Sequence, residues 1–153
     1  MHVHLLSKKA HKINQTAYYF LQKPSETPES TAAYPLVLLH GFCEDSTIWY
    51  KILPFLKKNA SNRAIIAIDL GGFGQSEQFG STIEAMARQV NEVIETLALS
   101  PCILVGHSLG GYVALAVAES FADKIAGFGL LHSHAFADTA EKQQNREIGR
   151  AHV

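Results

Sequence analysis

A serine can act as a nucleophile when the chain turns sharply enough to lift it clear of its surroundings. Ser108 sits in Gly106-His107-Ser108-Leu109-Gly110-Gly111, a G-x-S-x-G pattern with an apolar run before it and a helical pattern after it. A tight turn strains the backbone at the serine, so a positive φ is predicted there. Neighbours two positions either side then crowd each other, and Gly106 and Gly110 remove the Cβ atoms that would clash. A helix starting after Ser108 points its N-terminal dipole at the site, and the Leu109 N–H becomes one donor for a developing oxyanion. His40-Gly41-Phe42 supplies a second. A sharp turn after Gly41 aims the Phe42 N–H at the same oxygen. His40 is read as a hydrogen-bonded brace of its loop, and His107, the direct neighbour of Ser108, as a packing residue.

Strands and helices must hold these groups. Leu36 to Leu39 and Ala64 to Ile68 are continuous apolar runs, as strands buried on both faces should be. Cys102 to Val105 is a third such strand and the Gly-interrupted Ile125 to Leu131 a fourth. Between them lie a short helix capped by Asp45 or Ser46 and limited by Pro54, and a longer one from Ser81. In the longer helix Ser81 and Glu84 form a capping box, and Ile83, Met86, Ala87, Val90, Val93 and Leu97 share one face. A third helix, Leu109 to Ala122, is apolar or small nearly all round, hence central. Before these, His2 to Ser7 and Thr16 to Leu21 read as an edge hairpin, and Pro24 to Thr31 as a loop. The alternation predicts an α/β fold with a mostly parallel sheet, right-handed crossovers and helices on both faces. Ligands of such sheets bind beyond the carboxyl ends of the strands.

Composition narrows the class. The chain has 153 residues, 47% hydrophobic and 18% charged, with 13 Lys and Arg against 14 Asp and Glu. That balance suits one globular domain and carries neither the basic footprint of a nucleic-acid binder nor a polybasic membrane anchor. Two cysteines, Cys43 and Cys102, are too few for a disulfide scaffold and point to a reducing compartment. No signal peptide and no run of ~20 apolar residues is present, so a cytoplasmic location is expected.

These blocks resemble the α/β-hydrolase superfamily, in its carboxylesterase-like and C–C-hydrolase-like branch. Leu36 to Phe42, Ile68 to Ser76 and Val105 to Gly111 carry the resemblance, which covers roughly residues 34 to 147. It implies an oxyanion N–H at Phe42, a structural loop in which Asp69 braces rather than catalyses, and a nucleophile at Ser108. A serine there argues against epoxide hydrolases and haloalkane dehalogenases, whose nucleophile is a carboxylate. No cofactor and no metal are implied, and the partner is a small-molecule acyl substrate, with neither nucleic acid nor membrane.

The resemblance also implies a catalytic acid and a histidine after Ser108, in that order. Both are expected beyond residue 153, and the chain is expected to be an inactive N-terminal fragment lacking the last strands. Residues 1–33 would form the hairpin and loop, 34–135 the core, and 136–153 the start of a lid. Ile148 to Val153 are expected to come from a translated sequencing adapter. His132, His134 and Asp138 are set aside as a self-sufficient triad because geometry must precede residue type. His2-x-His4 and His132-x-His134 are set aside as zinc pairs for want of a third ligand, and Cys43 as a nucleophile for want of a base. The leading function is a serine hydrolase of an ester, thioester or similar acyl bond. The alternative is a non-catalytic binding or receptor protein on the same fold, which needs a pocket but no base.

Overall fold

The computed structural model describes residues 9–23, 33–59, 63–78 and 80–135. Six strands form one sheet: β1 (His11–Ile13), β2 (Thr16–Gln22), β3 (Leu36–Leu39), β4 (Ile65–Ile68), β5 (Cys102–His107) and β6 (Ile125–Leu131). The helices are α1 (Leu53–Asn59), α2 (Ile83–Thr96) and α3 (Leu109–Ser120). The spatial order is β1-β2-β4-β3-β5-β6. β3, β4, β5 and β6 run parallel, and the β1–β2 hairpin joins β4 antiparallel. This is the mostly parallel α/β sheet that the alternating pattern predicts. Among the described residues no helix is long and apolar enough to cross a membrane.

Every residue of β3 and β4 is buried. Successive side chains of a strand point to opposite faces, so each strand feeds two cores. Val37, Leu39, Ile66, Ile68 and Leu104 meet Val90, Val93 and Ile94 of α2 and Val113 and Val117 of α3. Leu36, Leu38, Ile65 and Ala67 meet Trp49, with Leu53 and Leu56 of α1 packed on them. Burying each such aliphatic side chain is worth about 1.5–3 kcal/mol, which is why these runs sit at the sheet's centre.

Several local expectations shift. The hairpin partner of β2 is His11–Ile13; the candidate strand His2 to Ser7 lies outside the described residues, as do Pro24 to Thr31 and the tail from 136 to 153 with Asp138 and Ile148 to Val153. Asp45 does cap, accepting from the Thr47 N–H, but the segment Ser46–Lys51 is a 3-10 helix. Pro54 does not end the helical run: it sits in the first turn of α1, where its missing N–H has no intrahelical partner to lose. Thr82, not Ser81, caps α2. Its side chain accepts from the Ala85 N–H, and Glu84 falls in the first turn, where the helix dipole favours a carboxylate.

β5 is buried on one face only. Cys102, Leu104 and Gly106 are buried while Ile103, Val105 and His107 are half-buried, because the 3-10 helix and α1 cover the β2, β4 and β3 end of that face. α3 is likewise covered on one side. Gly110, Gly111, Val113, Ala114 and Val117 are buried, and Tyr112, Leu115 and Ala116 are half-buried.

Candidate active site

β5 ends at His107, α3 begins at Leu109, and Ser108 between them has φ 49° and ψ −112°. The positive φ predicted from the sequence is therefore present, at a cost of order 1–3 kcal/mol for a non-glycine residue. Two backbone bonds pin the turn: the Ser108 N–H donates to the Leu131 carbonyl at 2.9 Å, and the Gly111 N–H to the Ser108 carbonyl at 3.0 Å. Leu109 opens a 12-residue helix, so its N–H has no intrahelical partner and lies at the positive end of the dipole.

The two glycines serve different contacts. A Cβ at Gly106 would lie 2.1 Å from the Gly110 carbonyl oxygen, as the crowding argument requires. A Cβ at Gly110 would instead lie 2.4 Å from the Leu39 carbonyl oxygen and 2.6 Å from that of His40. The expected crowding between the two glycines is thus present at Gly106, whereas Gly110 makes room for a different neighbour: α3 docks its first turn directly on the end of β3, the strand that leads into Phe42.

The turn after β3 is fixed by a buried imidazole. His40 is fully buried, and its Nε2 accepts from the Leu70 N–H at 2.8 Å. That leaves the proton on Nδ1, which donates to the Gly41 carbonyl at 2.7 Å. Burial holds the His40 pKa below its usual value, which keeps this neutral tautomer. The Gly41–Phe42 peptide is planar, so fixing its carbonyl turns the Phe42 N–H the opposite way. Cys43 follows with φ 56°, sharpening the turn. The Phe42 side chain is exposed and meets Phe73 edge-on at 5.6 Å.

Asp69, at the end of β4, braces the loop that carries Phe73. Its Oδ1 accepts from the Ser46 N–H at 2.9 Å, and its Oδ2 from the Gln75 N–H at 2.8 Å and the Tyr19 hydroxyl at 3.1 Å. Burial, and the carboxylate beside it, push the Tyr19 hydroxyl well above its ordinary pKa. These three donors tie Asp69 into loop structure.

His107 is more than a packing residue. Its Nδ1 lies 2.9 Å from Glu44 Oε2, and the same oxygen accepts from the Gly41 N–H at 2.7 Å. Nothing in the sequence marks Glu44, whose imidazole partner is 63 positions away. His132 has φ 48° and meets the His107 ring edge-on at 5.8 Å. His134 meets Tyr112 in the same way at 5.8 Å, and the Ser133 side chain lies over Gly111. The structure thus gathers Ser108, Leu109, His107, Glu44 and Gly41-Phe42 at the carboxyl ends of two neighbouring strands. His132 and His134 are set against His107 and Tyr112.

A family model described as the alpha/beta hydrolase fold matches residues 34–148. The chain is 38% identical over 86 residues to an uncharacterized hydrolase, YugF, of Bacillus subtilis, over 54% of this chain and 30% of that protein. It is 30% identical over 94 residues to epoxide hydrolase 4 of Mus musculus, over 59% of this chain and 25% of that one. Among solved structures, a thermophilic esterase from Thermogutta terrifontis superposes with a TM-score of 0.68 at 33% identity, over 86% of this chain and 45% of the esterase. The chain therefore spans less than half the length of each of these proteins.

Proposed function

The chain belongs to the alpha/beta hydrolase fold family, and we propose that it carries the nucleophile and oxyanion site of a serine hydrolase acting on an ester, thioester or similar acyl bond. The observation that carries this reading is the strained Ser108, at φ 49° between β5 and α3 with a glycine closed on backbone to either side. The likeness to the thermophilic esterase supports it.

In this mechanism Ser108 Oγ attacks the acyl carbonyl carbon and gives its proton to a base. The carbonyl oxygen becomes an oxyanion held by the N–H groups of Phe42 and Leu109. Collapse expels the leaving group, which takes the proton from the protonated base and leaves an acyl-enzyme. Water, deprotonated by the same base, then attacks, and the base returns that proton to Ser108 Oγ as the acid leaves. No step needs a cofactor. The base and its orienting acid are assigned beyond residue 153, following the order nucleophile, acid, histidine that the resemblance implies; of the nearby histidines, His40 is engaged with Gly41 and Leu70, His107 with Glu44 and His134 with Tyr112. A serine at this turn suits acyl transfer, in contrast to the carboxylate nucleophile of epoxide opening.

A labelled fluorophosphonate on the complete product of the gene tests the reading. One covalent adduct on Ser108, lost in Ser108→Ala, is the expected result. No adduct on the intact protein would leave a non-catalytic binding protein on this fold as the better account.

A further inference from the structure

We propose that Glu44 is a positioning residue that locks the oxyanion turn after β3 to the nucleophile turn after β5; this rests on the serine-hydrolase reading above. One carboxylate oxygen, Glu44 Oε2, accepts from the Gly41 N–H at 2.7 Å and from His107 Nδ1 at 2.9 Å. Gly41 precedes the proposed donor Phe42 by one residue, and His107 precedes Ser108 by one. The carboxylate therefore spans the two halves of the site at the point nearest the chemistry.

The same two side-chain atoms also fill the space beside Gly41. A Cβ there would lie 2.5 Å from Glu44 Oε2 and 2.9 Å from His107 Nδ1. Both side chains close over the Gly41 backbone, and a Cβ there would push the Glu44 carboxylate out of its place. The peptides on either side of Gly41 are thereby held from opposite ends. Glu44 fixes the N–H of Gly41, and His40 fixes its carbonyl. The Phe42 N–H belongs to the second of these peptides, so its direction depends on both anchors.

The pair is half-buried, with side-chain exposures of 31% for Glu44 and 28% for His107. A polar contact this open adds little to stability. Its larger effect is geometric, since catalysis by oriented donors is sensitive to displacements of an ångström or less. The bonds of Glu44 are to Gly41 and His107, and it acts through them.

Three variants of the complete gene product separate position from charge, with kcat and KM measured on a small activated ester and thermal midpoints recorded alongside. Glu44→Ala removes both bonds. Its kcat is expected to fall about 10- to 100-fold, less than the roughly 100- to 1,000-fold seen when an oxyanion donor is lost outright, with KM within about twofold. Glu44→Gln keeps the reach and an accepting oxygen and should retain kcat within about threefold. Glu44→Asp keeps the charge but is one methylene short and should resemble Glu44→Ala. If Glu44→Ala does not fold, the Gln and Asp variants carry the same comparison. An unchanged kcat in Glu44→Ala, or an active Asp variant beside an inactive Gln one, overturns the positioning role while leaving the serine mechanism intact. An intact protein that neither labels nor turns over ester overturns the serine mechanism, and the positioning role with it.

Discussion

Gly110 lies so close to Leu39 that a single added methyl would sit 2.4 Å from the Leu39 carbonyl oxygen. Neither partner in that contact is a side chain that can swing away. Gly110→Ala and Gly106→Val should each cost about 3 kcal/mol or more, at the upper end of overpacking penalties, and lower the yield of soluble protein. Gly127→Ala is the control. An added Cβ there meets no described atom within 4 Å, and the variant should unfold within about 0.5 kcal/mol of the parent or slightly above it. Chemical denaturation of the three variants makes the comparison.

Ser108 stores strain that a glycine would release. Ser108→Gly should raise stability by about 1 kcal/mol, within the range for a non-glycine residue at such a φ, while abolishing ester turnover. Ser108→Ala should abolish turnover without that gain. A Ser108→Gly protein that melts below Ser108→Ala would count against strain at the turn.

The buried His40 links the turn after β3 to pH. Its folded-state pKa lies below the ordinary 6.5 because burial disfavours the imidazolium. The unfolded chain takes up a proton near 6.5 that the folded chain does not. Stability should therefore be full above pH 6.5 and fall as the pH drops from 6.5 through the folded-state value. Asp45, held below its ordinary 3.8 chiefly by the Thr47 hydroxyl, adds a separate loss only below 3.8. Unfolding free energies measured from pH 7.5 to 5 should slope downward in the parent and flatten in His40→Gln.

Asp69 separates bracing from catalysis. Asp69→Ala strands the N–H groups of Ser46 and Gln75 and the Tyr19 hydroxyl. The Ser46 and Tyr19 bonds are buried, and an unsatisfied buried group costs about 1–3 kcal/mol, so the variant should be strongly destabilised. A protein that folds normally and loses only kcat would make Asp69 the catalytic acid instead.

Residues 1–153, purified as they stand, should hydrolyse a small activated ester no faster than buffer. Loss of the base alone costs on the order of a million-fold in kcat in subtilisin. Turnover by 1–153 that vanishes in His132→Ala or His134→Ala would show that a local histidine serves after all.

The elements nearest the chemistry were the most legible in the sequence. Leu36 to Leu39 and Ile65 to Ile68 announce buried strands because both faces are apolar, and Gly106 to Gly110 announces a turn because only glycine tolerates the contacts. The sequence hides α1, because Pro54 reads as a stop as readily as a first-turn residue. The cap of α2 is ambiguous by one residue, because Ser81 and Thr82 both offer a hydroxyl. Glu44 was invisible for a different reason. Its role depends on a contact across two strands, and no local periodicity encodes that.

The parallel pairing of β3 with β5 sets Leu39 opposite Gly106. Phe42 and Ser108 each follow their strand by a few residues, with no intervening strand. This makes the site's tolerance of insertions and deletions sharply uneven. A single residue gained or lost within 36–42 or 102–108 would shift one half of the site by about 3.3 Å along the strands, beyond any side-chain adjustment. A length change between β4 and α2, or between α3 and β6, leaves that pairing untouched. Lineages of this fold can therefore remodel the surroundings of the serine by changing loop length while two short stretches keep a fixed count.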